Sequence, residues 1–147
     1  MRVDITLRDG WKATISANNH VWYADEPVAE GGTDEAPTPG AMMMGALGAC
    51  IAITCKMYAN HKGWDLQGVD VKLDYERFNG KDYPAHEGND LFVHEIRKSV
   101  KFYGDLDEKQ LKRMYDVATK CPVHRLISFP TYFVEMEEDE DKEPEME

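Results

Sequence analysis

Pro37-Thr38-Pro39-Gly40 and the run that follows it, residues 41–59 with the sequence AMMMGALGACIAITCKMYA, decide the fold of this chain. No charged residue occurs in the run before Lys56. A helix that is apolar all round is predicted to be buried on every side. The run ends before the length of about 20 apolar residues that a membrane span needs, and residues 60–63 give it a polar end with a glycine at C′. We therefore interpret it as the central helix of a soluble core.

Length and charge limit the class of protein. The 147 residues include 17 Lys and Arg against 28 Asp and Glu, a net charge of −11. One domain over residues 1–136 is predicted, and the acid-rich residues 137–147 are expected to form a disordered tail. An acidic surface repels phosphates, so neither nucleic acid nor a membrane is an expected partner. The N-terminus lacks an apolar segment, which predicts no signal peptide and a cytoplasmic location.

Alternation of apolar and polar residues predicts the strands. The predicted strands are Val3–Leu7, Trp11–Ala17, His20–Ala24, Val69–Tyr75, Phe92–Tyr103 and Thr131–Met136, and residues 78–90 are a polar surface loop. Asp107 with Gln110 resembles a capping box that opens a second helix. Because proline suits the first turn of a helix, Cys121 is predicted to cap a third, short helix from Pro122 to Ile127. Strands and helices do not alternate as parallel units would, so the fold class is α+β.

The chain contains three cysteines, Cys50, Cys55 and Cys121. An odd number argues against a disulfide framework, and without a Cys-x-x-Cys or His-x-x-x-His pair no metal site is expected. Cys121 lies among basic residues at a predicted helix start, a setting that lowers a thiol pKa. It is either a reactive thiol or an unreactive capping residue. His124 is correspondingly either a general base beside it or a polar cap.

The other two cysteines lie in the apolar run. Free cysteines are usually buried and behave as small hydrophobic residues, which is the simpler interpretation of Cys50. Cys55 lies about 140° around the helix from Cys50 at 3.6 residues per turn, and we expect it to be structural. Met42-Met43-Met44 is either a soft-metal or redox cluster or, in our interpretation, adaptable packing.

Six short motifs in order carry a resemblance to a known family. They are Ala24-Asp25-Glu26-Pro27, Gly31-Gly32-Thr33-Asp34, Pro37-Thr38-Pro39, Ala46-Leu47-Gly48-Ala49-Cys50, Gly104-Asp105-Leu106 and Lys120-Cys121-Pro122-Val123-His124-Arg125. Together they resemble the OsmC/Ohr family of osmotically inducible and organic hydroperoxide resistance proteins, and most closely its OsmC-like redox branch. The resemblance extends from about Val3 to Met136.

The resemblance implies a fold and a reaction. The fold would be an intertwined homodimer in which antiparallel sheets wrap around long central helices. The reaction would be the reduction of small apolar hydroperoxides without a cofactor or metal. Cys50 would be the peroxidatic thiol and Cys121 the resolving thiol, and an external dithiol would regenerate the pair. The apolar surroundings of the helix would favour organic peroxides over hydrogen peroxide.

The start of the central helix departs from the pattern of this family. Its peroxidase members carry a glutamate just after the proline, which orients an arginine onto the thiolate, whereas this chain has Gly40-Ala41. Arg8 is a possible counterpart of the arginine, although an exposed turn residue is the simpler interpretation. The alternatives to a thiol peroxidase are therefore an OsmC-like domain that binds an apolar ligand in the dimer pocket, or a general disulfide-exchange protein.

Overall fold

A computed structural model describes residues 1–136, which form two antiparallel sheets and three α-helices. The elements are β1 (Asp4–Thr6), β2 (Ala13–Ala17), β3 (His20–Ala24), α1 (Pro39–Lys62), β4 (Asp65–Asn79), β5 (Phe92–Asp105), α2 (Glu108–Val117) and α3 (Pro122–Ser128). The α+β class is confirmed. The predicted acidic tail, residues 137–147, lies outside the described residues.

Local sequence signals set both ends of α1. The Thr38 side chain accepts a hydrogen bond from the Ala41 N–H at 3.2 Å, and Pro39 occupies the first turn. Gly63 ends the helix with a left-handed φ of 68°, a conformation that glycine adopts without steric penalty. The helix predicted from the apolar run is confirmed and is slightly longer than the run itself.

The core lies between α1, the β4–β5 sheet and the two short helices. β4 and β5 form a long antiparallel pair from Asp65 opposite Asp105 to Asn79 opposite Phe92, with a bulge between Leu66 and Gly68. One side of α1 packs on this pair and on α2 and α3. The buried side chains of the cluster are Leu47, Ile51, Cys55, Ala59, Leu66, Met114, Val117, Ala118 and Cys121. The predicted capping box on α2, Asp107 with Gln110, is confirmed.

The N-terminal strands form a separate three-stranded sheet in the order β1-β2-β3. The loop that joins this sheet to α1 is organised by Asp25, which is 1% exposed. Its carboxylate accepts the Thr33 hydroxyl at 2.6 Å and backbone N–H groups of Glu26 and Glu35. These bonds, led by the one from Thr33, lower the pKa of Asp25 to about 2. The loop is therefore held by a charged acceptor that stays ionised at neutral pH.

Two predictions about the described residues are wrong. Residues 131–136 contain no strand, because high β-propensity does not order a segment that no neighbouring strand pairs with. α1 is buried on one side only: Ile53 is 60% and Met57 67% exposed, since the sheet and helices that pack on it cover a single side.

The length and composition of α1 would also allow it to cross a membrane, with a mean hydropathy of 1.5 over its most apolar window. Only 17% of that window is buried within residues 1–136. Core helices of soluble proteins meet the same criteria, so this is weak support for a membrane span.

Candidate functional site

The fold brings together two thiols that are distant in the sequence. Cys50 lies midway along α1, and Cys121 is the N-cap of α3, as predicted. Cys50 packs against the buried cluster that contains Cys121, and its side chain interacts with that of Cys121 and raises its pKa. Cys121 is fully buried, whereas Cys50 is half-buried. The arrangement therefore presents one sulfur towards solvent with a second sulfur behind it.

The environment of Cys121 keeps its proton on the sulfur. Burial raises the pKa of Cys121, and the Cys50 side chain raises that pKa further. The N–H of His124, which donates to Cys121 Sγ at 3.3 Å, opposes these effects, and so does the backbone N–H of Val123. The pKa is therefore raised, not lowered as a helix start among basic residues predicts, because loss of hydration outweighs the hydrogen bonds from the backbone.

Cys55 occupies the buried stripe of α1 together with Ile51 and Ala59. Its Sγ lies 4.0 Å from the carbonyl oxygen of Met114 on α2. Burial raises the pKa of Cys55 to about 11. Cys55 is therefore a neutral thiol inside the core at neutral pH.

An apolar groove of about 820 Å³ runs along the first turns of α1. A smaller cavity of about 220 Å³ shares His94, Ile96 and Ile127 with it, so the two are adjacent. The groove is lined by Thr38, Gly40, Ala41, Met43, Met44, Tyr75, Val93, His94, Ile96 and Ile127, and the smaller cavity adds Leu47, Lys98, His124 and Ser128. Leu47 lies one turn before Cys50, and His124 lies one turn after Cys121. The small end of the groove therefore lies beside the turns that carry the two thiols.

Two polar features of the groove were not predicted. His94 Nδ1 is hydrogen-bonded to the Tyr75 hydroxyl at 2.8 Å, and Lys98 Nζ donates to the Ala118 carbonyl oxygen at 3.4 Å. The sequence contained a signal for Lys98. The even-numbered residues of β5 form its apolar side, and Lys98 is the one cation among them. An inward-facing lysine in an alternating strand indicates a polar partner in the core.

The remaining candidate residues lie apart from the thiols or lack the required chemistry. Arg8 is exposed between β1 and β2 and makes no hydrogen bond or ion pair with any residue in 1–136. Gly40 and Ala41 form the first turn of α1, which contains no acidic residue. The ring of His124 lines the small cavity, and its backbone N–H, not the ring, contacts Cys121. Among residues 1–136 no group of three or more His, Cys, Asp or Glu side chains could hold a metal ion.

Solved structures with the same fold are found in several bacteria. A protein of Psychrobacter arcticus 273-4, described as an osmotic stress induced and detoxification response protein, has a TM-score of 0.67 at 20% identity over 84% of this chain and 85% of its own. An OsmC-like protein from Mycoplasma pneumoniae has a TM-score of 0.66 at 18% identity over 86% of each chain. An organic hydroperoxide resistance protein OsmC from Legionella pneumophila has a TM-score of 0.60 at 14% identity over 86% and 87%.

At these identities the structural similarity shows the fold alone. No curated protein sequence matches the chain significantly. A sequence profile of the family described as OsmC-like protein, however, matches residues 32–137, more than two-thirds of the chain. The matched range contains α1, both long strands and the segment around Cys121. This protein therefore belongs to the OsmC-like family.

Proposed function

We propose that this protein reduces organic hydroperoxides, with Cys50 as the attacking thiol, Cys121 as the resolving thiol and an external dithiol as the reductant. The interaction of the Cys50 side chain with Cys121, which the fold brings together from distant parts of the chain, is the observation that carries the proposal. Membership of the OsmC-like family supports a peroxide-related role, and so does the similarity of the fold to an organic hydroperoxide resistance protein.

The two environments favour a division of roles. The buried Cys121 retains its proton because burial raises its pKa, whereas the half-buried Cys50 is the thiol that a peroxide can reach. The thiolate is the nucleophilic form of cysteine. Cys50 attacks the distal oxygen of the hydroperoxide, the O–O bond breaks, and the alkoxide leaves as an alcohol after taking a proton. Cys50 is left as a sulfenic acid.

Cys121 completes the reaction from its position behind Cys50. Its sulfur attacks Cys50 Sγ, the S–O bond breaks, and the hydroxide leaves as water with the proton of Cys121. A disulfide results, which an external dithiol reduces by two successive exchanges. The apolar groove, with Met43 and Met44 on one wall and Ile96 on the other, supports a substrate whose organic part is apolar.

Binding of an apolar ligand without turnover is the second candidate function. It is favoured by the absence of an acidic residue at Gly40-Ala41, since nothing there would orient an arginine onto the Cys50 sulfur. The volume of about 820 Å³ is within the range of ligand pockets.

The substitution Cys121→Ser tests the proposed reaction directly. Serine is a favoured N-cap residue, so we expect α3 to form, but the variant has no thiol to resolve the sulfenic acid. One equivalent of cumene hydroperoxide should therefore leave Cys50 as a stable sulfenic acid. The measurement is mass spectrometry after trapping with dimedone. Wild type should give the disulfide, and Cys50→Ser should give no adduct. Equal labelling of wild type and Cys121→Ser would contradict a resolving role for Cys121.

We also propose that the chain functions as a homodimer. α1 leaves Met43, Ile53 and Met57 exposed at 48%, 60% and 67%, and such apolar surface on one helix indicates a contact with another chain. Light scattering after size exclusion should give twice the mass of the chain. Ile53→Asp should shift the equilibrium to monomer, whereas Asn60→Asp, which adds the same charge at a polar position of α1, should not. A wild-type monomer at all concentrations would refute the proposal.

A further inference from the structure

The third cysteine, Cys55, is unused in the proposed reaction but lies in the same buried cluster as Cys121. Each of these two side chains has an exposed fraction of 0%. They pack there with Ile51, Met114 and Ala118. Cys121 thus shares a buried cluster with a second sulfur of α1 besides that of Cys50.

The segment between α2 and α3 places Cys121 in the buried cluster that contains Cys55. The carbonyl oxygen of Met114, 4.0 Å from Cys55 Sγ, also accepts the N–H of Ala118 at 2.9 Å. From there the chain turns tightly, with the Lys120 N–H donating to the Val117 carbonyl oxygen at 2.9 Å, and reaches Cys121 at the next residue. The Met114 contact of Cys55 is at the long limit for a sulfur hydrogen bond. This weak hydrogen bond therefore does little to keep the Cys55 thiol from reacting with another sulfur.

Electrostatics supports the same neighbourhood. Negative charge on Cys121 raises the pKa of Cys55, as expected for two thiols in one buried cluster. Lys98 lowers that pKa, and its Nζ lies 3.4 Å from the Ala118 carbonyl oxygen. Burial is the larger effect, but Lys98 is a cation placed to stabilise a transient thiolate at Cys55.

We propose that Cys55 is a third redox thiol, which moves the oxidised state from the Cys50–Cys121 disulfide to a buried Cys55–Cys121 disulfide. This inference rests on the proposed function, because the first disulfide forms in that reaction. In the exchange, the Cys55 thiolate attacks Cys121 Sγ and a new S–S bond forms. The bond between Cys121 and Cys50 breaks, and Cys50 leaves as a thiolate that receives the proton lost by Cys55. No electrons enter or leave.

Burial favours the product. A thiol in the core with a poor hydrogen-bond partner is replaced by an apolar disulfide, and the freed thiol returns to the half-exposed position of Cys50. The buried Cys55–Cys121 disulfide is then shielded from bulky reductants, while the Cys50 thiol is free to react with a second peroxide. The exchange moves the Cys121 sulfur from one partner to the other beside the same buried cluster, and the new bridge requires Cα atoms within about 6.8 Å of each other.

Disulfide mapping of the wild-type protein tests the exchange without a substitution. The protein is treated with one equivalent of cumene hydroperoxide, quenched with iodoacetamide after increasing times and digested. No Lys or Arg lies between Cys50 and Cys55, so trypsin gives both disulfides the same mass. Thermolysin, which cleaves before isoleucine, separates them at Ile51 and Ile53. We expect Cys50–Cys121 first and Cys55–Cys121 as the majority species later.

A Cys50→Ser variant oxidised with diamide provides a measurement that needs no peroxide chemistry. Cys55 and Cys121 are its only thiols, and we expect both to become inaccessible to alkylation in guanidinium chloride, with no intermolecular dimer on a non-reducing gel. Cys50→Ser combined with Cys55→Ala should retain one free thiol.

The outcomes separate the two proposals. A wild-type protein that keeps the Cys50–Cys121 bridge at all times, with two alkylatable thiols in oxidised Cys50→Ser, would overturn the exchange and leave the peroxidase reaction intact. Absence of any disulfide in peroxide-treated wild type would refute the peroxidase reaction, and the exchange with it.

Discussion

Peroxide consumption by the Cys50→Ser variant is expected to fall to the rate of buffer and dithiol alone. A serine hydroxyl does not ionise at neutral pH, so the variant lacks the nucleophile that attacks the peroxide oxygen. Loss of a covalent nucleophile lowers turnover by about 10³-fold or more in well-studied enzymes. The measurement is stopped-flow consumption of cumene hydroperoxide with dithiothreitol or a lipoyl dithiol as the donor.

The matched control for this prediction is Thr54→Ser, one turn further along α1. It also changes a small side chain of the helix but removes no thiol, so its rate should equal that of wild type. Equal residual rates in wild type, Cys50→Ser and Cys121→Ser would eliminate the peroxidase proposal. In that case apolar compounds should raise the melting temperature of wild type and Cys50→Ser by the same amount, as ligand binding in the groove requires.

Gly104→Ala is expected to cause the largest loss of stability in the two-stranded sheet. Gly104 has a φ of 135°, and a Cβ atom placed on it would lie 1.9 Å from the backbone oxygen of Asp65. Neither the backbone conformation nor the opposing strand can accommodate a methyl group there. Strained backbone conformations cost about 1–3 kcal/mol, and the clash adds to this. We expect the free energy of unfolding in urea to fall by about 2–4 kcal/mol.

Gly68→Ala is the matched control, because Gly68 lies in the same bulge. A Cβ atom there would be 3.4 Å from the ring of Tyr103, an ordinary van der Waals contact. Its unfolding midpoint should stay close to that of wild type. If Gly104→Ala were as stable as Gly68→Ala, the tight approach of Gly104 to Asp65 would not constrain the protein in solution.

Features encoded by local sequence were predicted with accurate boundaries. The glycine at Gly63, which ends α1, and the capping box at Asp107 each act within one helical turn, so they are visible without knowledge of the fold. The same holds for Cys121 as the cap of α3, because Pro122 fixes the first turn. The alternation that predicted β4 and β5 required only that one side of each strand be buried.

Features that depend on contacts with other parts of the structure were predicted less well. Residues 131–136 have the composition of a strand but find no neighbouring strand to pair with. The apolar character of α1 predicted burial all round, yet Ile53 and Met57 remain exposed. Composition reports that a surface is apolar and does not report what covers it. Lys98 was overlooked for a related reason, since its polar partner belongs to a different element.

The sequence by itself determined the α+β class, the limits of the helices and the identity of the candidate thiols, because caps, prolines and periodic patterns act over a few residues. The tertiary structure alone decided that Cys50 and Cys121 interact, that Cys55 lies in the buried cluster with Cys121, and that burial raises the pKa of Cys121. Proximity between distant residues and the loss of hydration around them arise from the packing of whole elements, and no local pattern specifies either.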